Sequence, residues 1–248
     1  MKGRVISWFS CGAASAVATK LAQPDVIAYC ETGAEHDDNK RFMSDCEKWF
    51  DQPITILQNP KYSNTWEVWE DRQYISGING APCTRELKVS PRLVFERDDD
   101  VHVFGYTADS HDTQRASALS ENWPELSCRF PLIERGLTKA ACFAMVENAG
   151  FKLPVTYAMG FPNANCIPCC KATSPAYWAL VRLHFPEMFA RMVEISRRLG
   201  ARLSRINDER IFIDEIPIDH PVTKPIAPDC DFLCSLAEQD IGAGCCSD

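Results

Sequence analysis

The chain has 248 residues, enough to bury one sizeable core with an appendage but not two equal domains. With 46% hydrophobic and 24% charged residues it has the composition of a folded globular protein, which excludes disorder as the default. Lys plus Arg total 26 against 34 Asp plus Glu, a formal charge of −8, so net charge does not draw it to nucleic acid and an anionic partner requires a local basic patch.

Residues 4–9 (RVISWF) form a short apolar run rich in strand formers, followed by a small-residue turn and residues 15–21 (SAVATKL), which suit a helix. Lys2, Arg4, the apolar run 5–18 and the triplet Ala16-Val17-Ala18 also mimic a signal peptide. Strand, turn and helix account for the same residues and are the expected reading. Residues 26–30 (VIAYC) predict a second buried strand. Residues 39–50 predict a helix with Phe42, Cys46, Trp49 and Phe50 on one side, and residues 54–57 a third strand. Strands alternating with helices imply a parallel sheet joined by right-handed crossovers.

Gly77 and Gly80 mark a turn-rich stretch, after which residues 84–89 begin a helix that Pro91 is expected to interrupt. Residues 101–106 (VHVFGY) predict a further strand. Thr138 is placed to cap a helix that runs to about Asn148, ends at Gly150 and has Leu137, Cys142, Met145 and Val146 on its apolar side. Residues 177–199 give the longest helical pattern, kinked or divided at Pro186, and residues 211–216 are strand-like. From Pro217 onward the chain reads as irregular. No run of 18 apolar residues occurs, so no membrane helix is expected.

Ser10, Gly12 and Ser15 form an S-x-G-x-x-S loop between predicted strand and helix, where free amides and the helix dipole favour an anion. The loop lacks the lysine of the kinase-like phosphate loop and is not a dinucleotide fingerprint. Thirteen cysteines, an odd number, argue against a fully paired disulfide framework and for a reducing cytoplasm. Cys166-x-x-Cys169-Cys170 and Cys230-x3-Cys234 have metal-ligand spacing. Cys166 and Cys169 supply one face of a site, and Cys83 and Cys142 are the candidates to complete it. Four thiolates suit either a [4Fe–4S] cluster or tetrahedral zinc, and free or redox-switching thiols are the third reading. Cys30, Cys46 and Cys128 read as small buried residues. Cys230, Cys234, Cys245 and Cys246 suit a second metal site or a redox pair. Arg182, Arg191, Arg197, Arg198, Arg202 and Arg205 form either a basic patch or a solvated helix face, and the solvated face is preferred. The five histidines show no metal spacing, and His111, between Asp109 and Asp112, reads as a solvated loop residue.

The chain resembles the PP-loop adenine-nucleotide alpha-hydrolase superfamily, and within it the phosphoadenosine phosphosulfate (PAPS) reductase-like family. The resemblance rests on the Ser10–Ser15 loop, on Glu31-Thr32-Gly33-Ala34-Glu35, and on Pro82-Cys83-Thr84-Arg85-Glu86-Leu87-Lys88. It extends through Gly105-Tyr106-Thr107 with Arg115 to the cysteine segment 160–171, GFPNANCIPCCK. Cys11 stands where the superfamily loop has its first glycine and Ala14 where it has an aspartate, and the E-C-G-x-H motif of assimilatory PAPS reductases is absent.

The resemblance implies a Rossmann-like (HUP-type) α/β fold, an open parallel sheet with helices on both faces and a helical, cysteine-rich C-terminal part. The expected divisions are a nucleotide-binding domain over residues 1–135, a helical region over 136–216 packed on it, and a Cys/Pro-rich tail over 217–248. ATP or another adenine nucleotide, with Mg2+, is expected against Ser10, Cys11, Gly12, Ala13, Ala14, Ser15, Thr32, Gly33, Gly105, Tyr106 and Thr107. Cys83, Arg85, Lys88 and Arg115 are the candidate catalytic residues, with Lys139 and Lys171 as further cations. Cys83, Cys142, Cys166 and Cys169 are the candidate ligands of a [4Fe–4S] cluster, with zinc as the alternative. The implied activity is adenylation-dependent sulfur transfer to an acceptor, served by a sulfur or electron donor protein. The alternatives are reduction of PAPS or adenylyl sulfate to sulfite, and a non-catalytic nucleotide-binding module with a structural metal.

Overall fold

The computed structural model describes residues 3–230 and 232–241; Cys245 and Cys246 lie outside them. The chain opens with β1 (Val5–Phe9), α1 (Ala13–Ala22), β2 (Val26–Cys30), α2 (Asp38–Phe50) and β3 (Ile54–Leu57), close to the expected bounds. α3 (Thr65–Arg72) follows, a helix whose pattern is not evident in the sequence. Asn64 caps it by accepting from the Glu67 amide at 3.0 Å.

α4 (Pro82–Thr84), a π-helical turn (Arg85–Val89) and α5 (Ser90–Phe95) run on without a break. Pro91 therefore does not interrupt the helix as expected. The wide turn before it pairs the Ser90 amide with the Arg85 carbonyl, and Pro91 takes up a first-turn position of α5, where its missing amide costs little.

β4 (Val101–Val103) is shorter than expected. After the Phe104 amide bonds the Arg129 carbonyl, the chain leaves the sheet at Gly105. α6 (Ser110–Asn122), β5 (Ser127–Arg129) and α7 (Pro131–Glu134) come next. α8 (Lys139–Asn148) has the expected cap, with Thr138 accepting from the Ala141 amide at 3.2 Å. α9 (Val155–Ala158) leads into α10 (Pro175–His184) and α11 (Pro186–Arg198), divided at Pro186 as its missing amide requires. β6 (Ser204–Ile206) and β7 (Glu209–Ile211) form a hairpin, and Ile213–Glu215 is a 3-10 turn rather than the continuation of a strand. α12 (Phe232–Asp240) replaces part of the expected irregular tail.

The first five strands form one parallel sheet in the order β3-β2-β1-β4-β5, flanked by helices. The strand order reverses between β1 and β4, and a crevice opens at the carboxyl ends of such a pair. Ser7 and Phe9 face α1, with Ser7 Oγ 2.7 Å from Thr19 Oγ1. Trp8 points to the other face, where its indole donates to His102 Nδ1 at 3.0 Å. Burial lowers the His102 pKa, which favours the neutral ring that can accept there.

Among the described residues two large apolar cores result, with a small third cluster of Tyr62, Val68 and Leu87. One gathers α1, α2, α8 and α12 under the sheet, and α8 is buried on nearly every side, from Ala141 to Val146. The other joins Trp66 and Trp69 of α3 to Phe161, Trp178, Met192 and Ile213. Among the described residues no helix is long and apolar enough to cross a membrane.

Candidate functional site

A crevice of about 460 Å³ lies at the carboxyl end of the sheet and takes its walls from both cores. Its volume falls in the range of small-molecule sites. On one side it meets the turn between β1 and α1. Gly12 caps α1 without a side-chain partner, no acidic residue occupies the first turn, and the amides of Gly12, Ala14 and Ser15 find no acceptor among the described residues. The positive end of the helix dipole therefore opens on the crevice.

The loop's shape is set by its two serines: Ser15 Oγ donates to the Gly12 carbonyl at 2.9 Å and accepts from the Ser10 amide at 3.1 Å. Tyr157 holds the Ala13 amide at 3.2 Å. Gly105 seats β4 against this turn, since a β-carbon there would come within 2.7 Å of the Ser15 amide nitrogen.

The crevice concentrates positive charge in an acidic protein. Lys88, Arg92, Arg115, Lys139 and Lys171 line it, and Asp112 is the single carboxylate among the described lining residues. Lys88 Nζ lies 4.0 Å from Glu35 Oε1. Burial works against the Lys88 charge, yet the surrounding Cys166, Glu35, Cys30 and Cys169 side chains raise its pKa above the ordinary value. Glu35 is buried and accepts from Tyr29 and Asn39 at 2.8 and 2.9 Å. Desolvation raises its pKa despite those bonds. Burial pulls the Lys139 ammonium below its ordinary value against the attraction of Asp112 and Asp109, and its Nζ donates to Asn163 Oδ1 at 2.9 Å. Arg115 pairs with Asp112 at 2.9 Å and lies over the Tyr106 ring.

Thiols line the same crevice: Cys83, Cys166, Cys169 and Cys170, and also Cys30, which is only half-buried rather than the buried core residue expected. The 160–171 segment reaches it because the Ile167 amide bonds the Ala34 carbonyl at 2.7 Å and Asn39 holds the Ala164 carbonyl at 3.0 Å. Tyr177 fixes the far end by accepting from the Cys169 amide at 2.6 Å. Cys83 Sγ lies 3.6 Å from Cys170 Sγ; the hydrogen bond from Cys170 outweighs burial and lowers the Cys83 pKa to about 7. Cys166 donates to Thr32 Oγ1 at 3.1 Å, and burial pushes its thiol up to about 12.

Of the residues expected at the nucleotide, Ser10, Gly12, Ala14, Ser15, Thr32, Gly105 and Tyr106 line the crevice. Cys11 and Ala13 lie wholly in the core beneath the loop. Cys11 has φ 53°, the left-handed region that glycine adopts without strain, so it keeps the loop's path but turns its thiol inward. Gly33 sits one residue beyond Thr32, with φ 59°, and serves the turn rather than the wall. Thr107 is fully buried and ties the loop before α6, its hydroxyl within 2.8 Å of Asp109 and 3.0 Å of Asp112. Of the candidate catalytic residues, Cys83, Lys88 and Arg115 line the crevice, whereas Arg85 points from the exposed side of the π turn.

Cys142 is the clearest correction. It is fully buried in the core between α1 and α12, where burial drives its pKa far upward, and it does not reach the crevice. Cys170 stands in the place expected for it. Sequence reasoning missed Arg92, which no local pattern distinguishes from a surface charge, quoted Glu35 as part of the motif after β2 without giving it a role, and undervalued Cys170, whose adjacency to Cys169 was the available signal.

Away from the crevice, Cys230, Cys234 and Glu238 bring ligand atoms within 4.8 Å of one another, a group able to hold a metal ion. It is the one such group of three among the described residues; in the crevice Cys83 and Cys170 come within 3.6 Å of each other, with no third ligand atom that close to both. The arginine-rich patch is taken up by the protein's own groups. Arg197 pairs with Asp214 and Glu215, Arg198 with Glu70, and Arg205 with Asp208. Arg182 bonds the carbonyls of residues 216–218, and Arg191 and Arg202 lie over the Trp66 and Phe212 rings.

No known family profile matches the chain. An uncharacterized protein of Methanocaldococcus jannaschii is similar to it, 23% identical over 203 residues that cover 77% of this chain and 47% of the relative. The chain thus spans less than half the length of that relative.

Proposed function

We propose that the crevice binds an adenine nucleotide and that the protein uses it to activate an acceptor by adenylation for sulfur transfer. The observation that carries the reading is that the start of α1, free of a side-chain cap, lines one cavity together with five cations and five thiols. An anionic ligand held at the amides of Gly12, Ala14 and Ser15 would lie within the same space as sulfur chemistry. The PAPS reductase-like resemblance supplies the class of reaction.

In this reading the amides and Lys88, Arg115 and Lys139 hold the phosphates, with Mg2+ bridging them. They stabilise charge that grows on the pyrophosphate as the acceptor oxygen attacks the α-phosphorus and the bond to the β-phosphate breaks. Their advantage is that they are fixed before reaction. Cys83, Cys166, Cys169 and Cys170, gathered at one crevice, are the residues that would hold a thiolate-bound cluster. A bound [4Fe–4S] cluster would supply the site for handling sulfur or electrons. Zinc at the same thiols is the alternative.

Anaerobically purified protein incubated with ATP, Mg2+ and a panel of small-molecule and nucleic-acid acceptors tests this reading. AMP and pyrophosphate released in proportion to acceptor modified support it. Nucleotide binding with no turnover on any acceptor would favour a binding module.

The Cys83–Cys170 contact favours a second reading, reduction of adenylyl sulfate or PAPS. The Cys83 thiolate would attack sulfur and break its bond to the phosphate oxygen, leaving the nucleotide and a Cys83 thiosulfonate. Cys170 would then attack Cys83 Sγ and release sulfite, and the resulting disulfide would need an external dithiol for reduction. Sulfite formed from either nucleotide with a dithiol reductant would select this reading over adenylation.

A further inference from the structure

We infer that Cys230, Cys234 and Glu238 form a second metal site, separate from the crevice, that takes a zinc-type dication and fastens the last described helix to the nucleotide-binding half. Cys234 and Glu238 lie one turn apart on α12, and Cys230 lies two residues before its start. Cys230 Sγ and Cys234 Sγ are 2.9 Å apart, and all three ligand atoms fall within 4.8 Å.

Glu238 is the observation that points to an ion. Its side chain is 99% withdrawn from solvent, the residue being 1% exposed, and Oε2 has no hydrogen-bond partner among the described residues. A buried carboxylate oxygen left in this state is costly unless a cation meets it. Oε1 is already held by Asn148 Nδ2 at 2.8 Å, the outer support that a ligating carboxylate usually has, while Oε2 stays without a partner and a Glu238 oxygen lies within 4.8 Å of both thiols. A disulfide between Cys230 and Cys234 would leave that oxygen unmatched, whereas a dication bound to two thiolates and the carboxylate would satisfy it.

Two sulfurs and one oxygen suit zinc, with a fourth position for water or a further ligand. Binding forms two zinc–sulfur bonds and releases the two thiol protons to solvent; no electron is transferred. Asn148 belongs to α8, the Asp229 amide bonds the Ala140 carbonyl at 3.2 Å, and α8 packs on α1. The ion would therefore clasp α12 to the helix directly behind the phosphate-facing turn.

The test uses reduced, metal-stripped full-length protein titrated with Co2+ and, in competition with a chromophoric chelator, with Zn2+. The expected result is a tetrahedral Co2+ spectrum with thiolate charge-transfer bands that persists in a Cys83→Ser, Cys166→Ser protein and is lost in Cys230→Ser. Asn148→Ala, which leaves all three ligands in place, should weaken Zn2+ by about 10- to 100-fold. Zn2+ should also slow proteolysis of α12. A spectrum that follows the crevice cysteines and is unchanged in Cys230→Ser overturns the proposal, as does a non-reduced peptide map showing Cys230 and Cys234 joined to each other. Should Cys230→Ser fail to fold, an unaltered Zn2+ affinity in Asn148→Ala together with α12 proteolysis indifferent to Zn2+ overturns it as well.

Discussion

Gly105 and Ser15 are packed backbone to backbone: a β-carbon on Gly105 would lie 2.6 Å from Ser15 Cα. The end of β4 is thereby seated against the first turn of α1, and the spacing between the two strands at the switch point fixes the mouth of the crevice. Gly105→Ala is expected to push the two elements apart, costing about 1–3 kcal/mol of stability and weakening nucleotide binding disproportionately. Thermal denaturation with and without ATP measures both. An alanine variant with wild-type melting and wild-type stabilisation by ATP would show that the contact is soft.

The exchange of Cys142 for Cys170 in the proposed ligand set gives a paired test. Cys170→Ser should lower iron and acid-labile sulfide per chain in anaerobically reconstituted protein. Cys142→Ala should leave the metal content unchanged while lowering stability, because its thiol fills the core beside α1. The opposite pattern would return Cys142 to the site.

Lys88 lines the proposed site between Glu35 and the crevice thiols. Lys88→Met should weaken adenine-nucleotide binding by about 10- to 100-fold, the range for losing a hydrogen bond to a charged group. Calorimetric titration gives the value. If affinity is unchanged, Lys88 serves only to neutralise Glu35.

Acid stability should depend on Arg4 and Asp100. Arg4 donates to both Asp100 oxygens at 3.0 and 2.7 Å, tying the residue before β1 to the residue before β4. Burial works to raise the Asp100 pKa, but its hydrogen bonds with Arg4 and Arg97 outweigh it and the carboxyl is held below its ordinary value. A depressed carboxylate stabilises the fold above its unfolded pKa of about 3.9 and loses that contribution as pH falls through the lower folded value. Asp100→Asn is expected to cost about 1–3 kcal/mol near neutrality, the part-exposed Arg4 moderating the loss. Urea titrations from pH 7 downward should show the gap between wild type and variant closing below pH of about 4.

Thr138→Ala removes the cap of α8, the helix buried between α1 and α12, and should cost about 1 kcal/mol. Chemical denaturation checks it, and Thr138→Ser should restore most of the loss.

The first three strands, α1, α2 and the capped α8 were legible because each is specified locally. β-branched runs, the break at Pro186 and the Thr138 cap act on their own neighbours in sequence. α3, α6 and β5 escaped because their burial comes from contacts with distant segments; only Ala116 is deeply buried in α6, so no apolar stripe marks it. The Pro91 expectation failed because a π turn upstream absorbed the missing bond.

The same division holds for the site. By itself the sequence determined the strand–loop–helix that presents free amides, since small residues between an apolar run and a helix leave those donors open. It also determined which cysteines exist to serve as ligands. Only the tertiary structure decided which of them meet: Cys142 and Cys170 have similar credentials as letters, but α8 turns one into a packed core while Tyr177 and Ala34 hold the other's segment at the crevice. Which thiols converge depends on how separate elements pack, and that is set by burial summed over the whole fold.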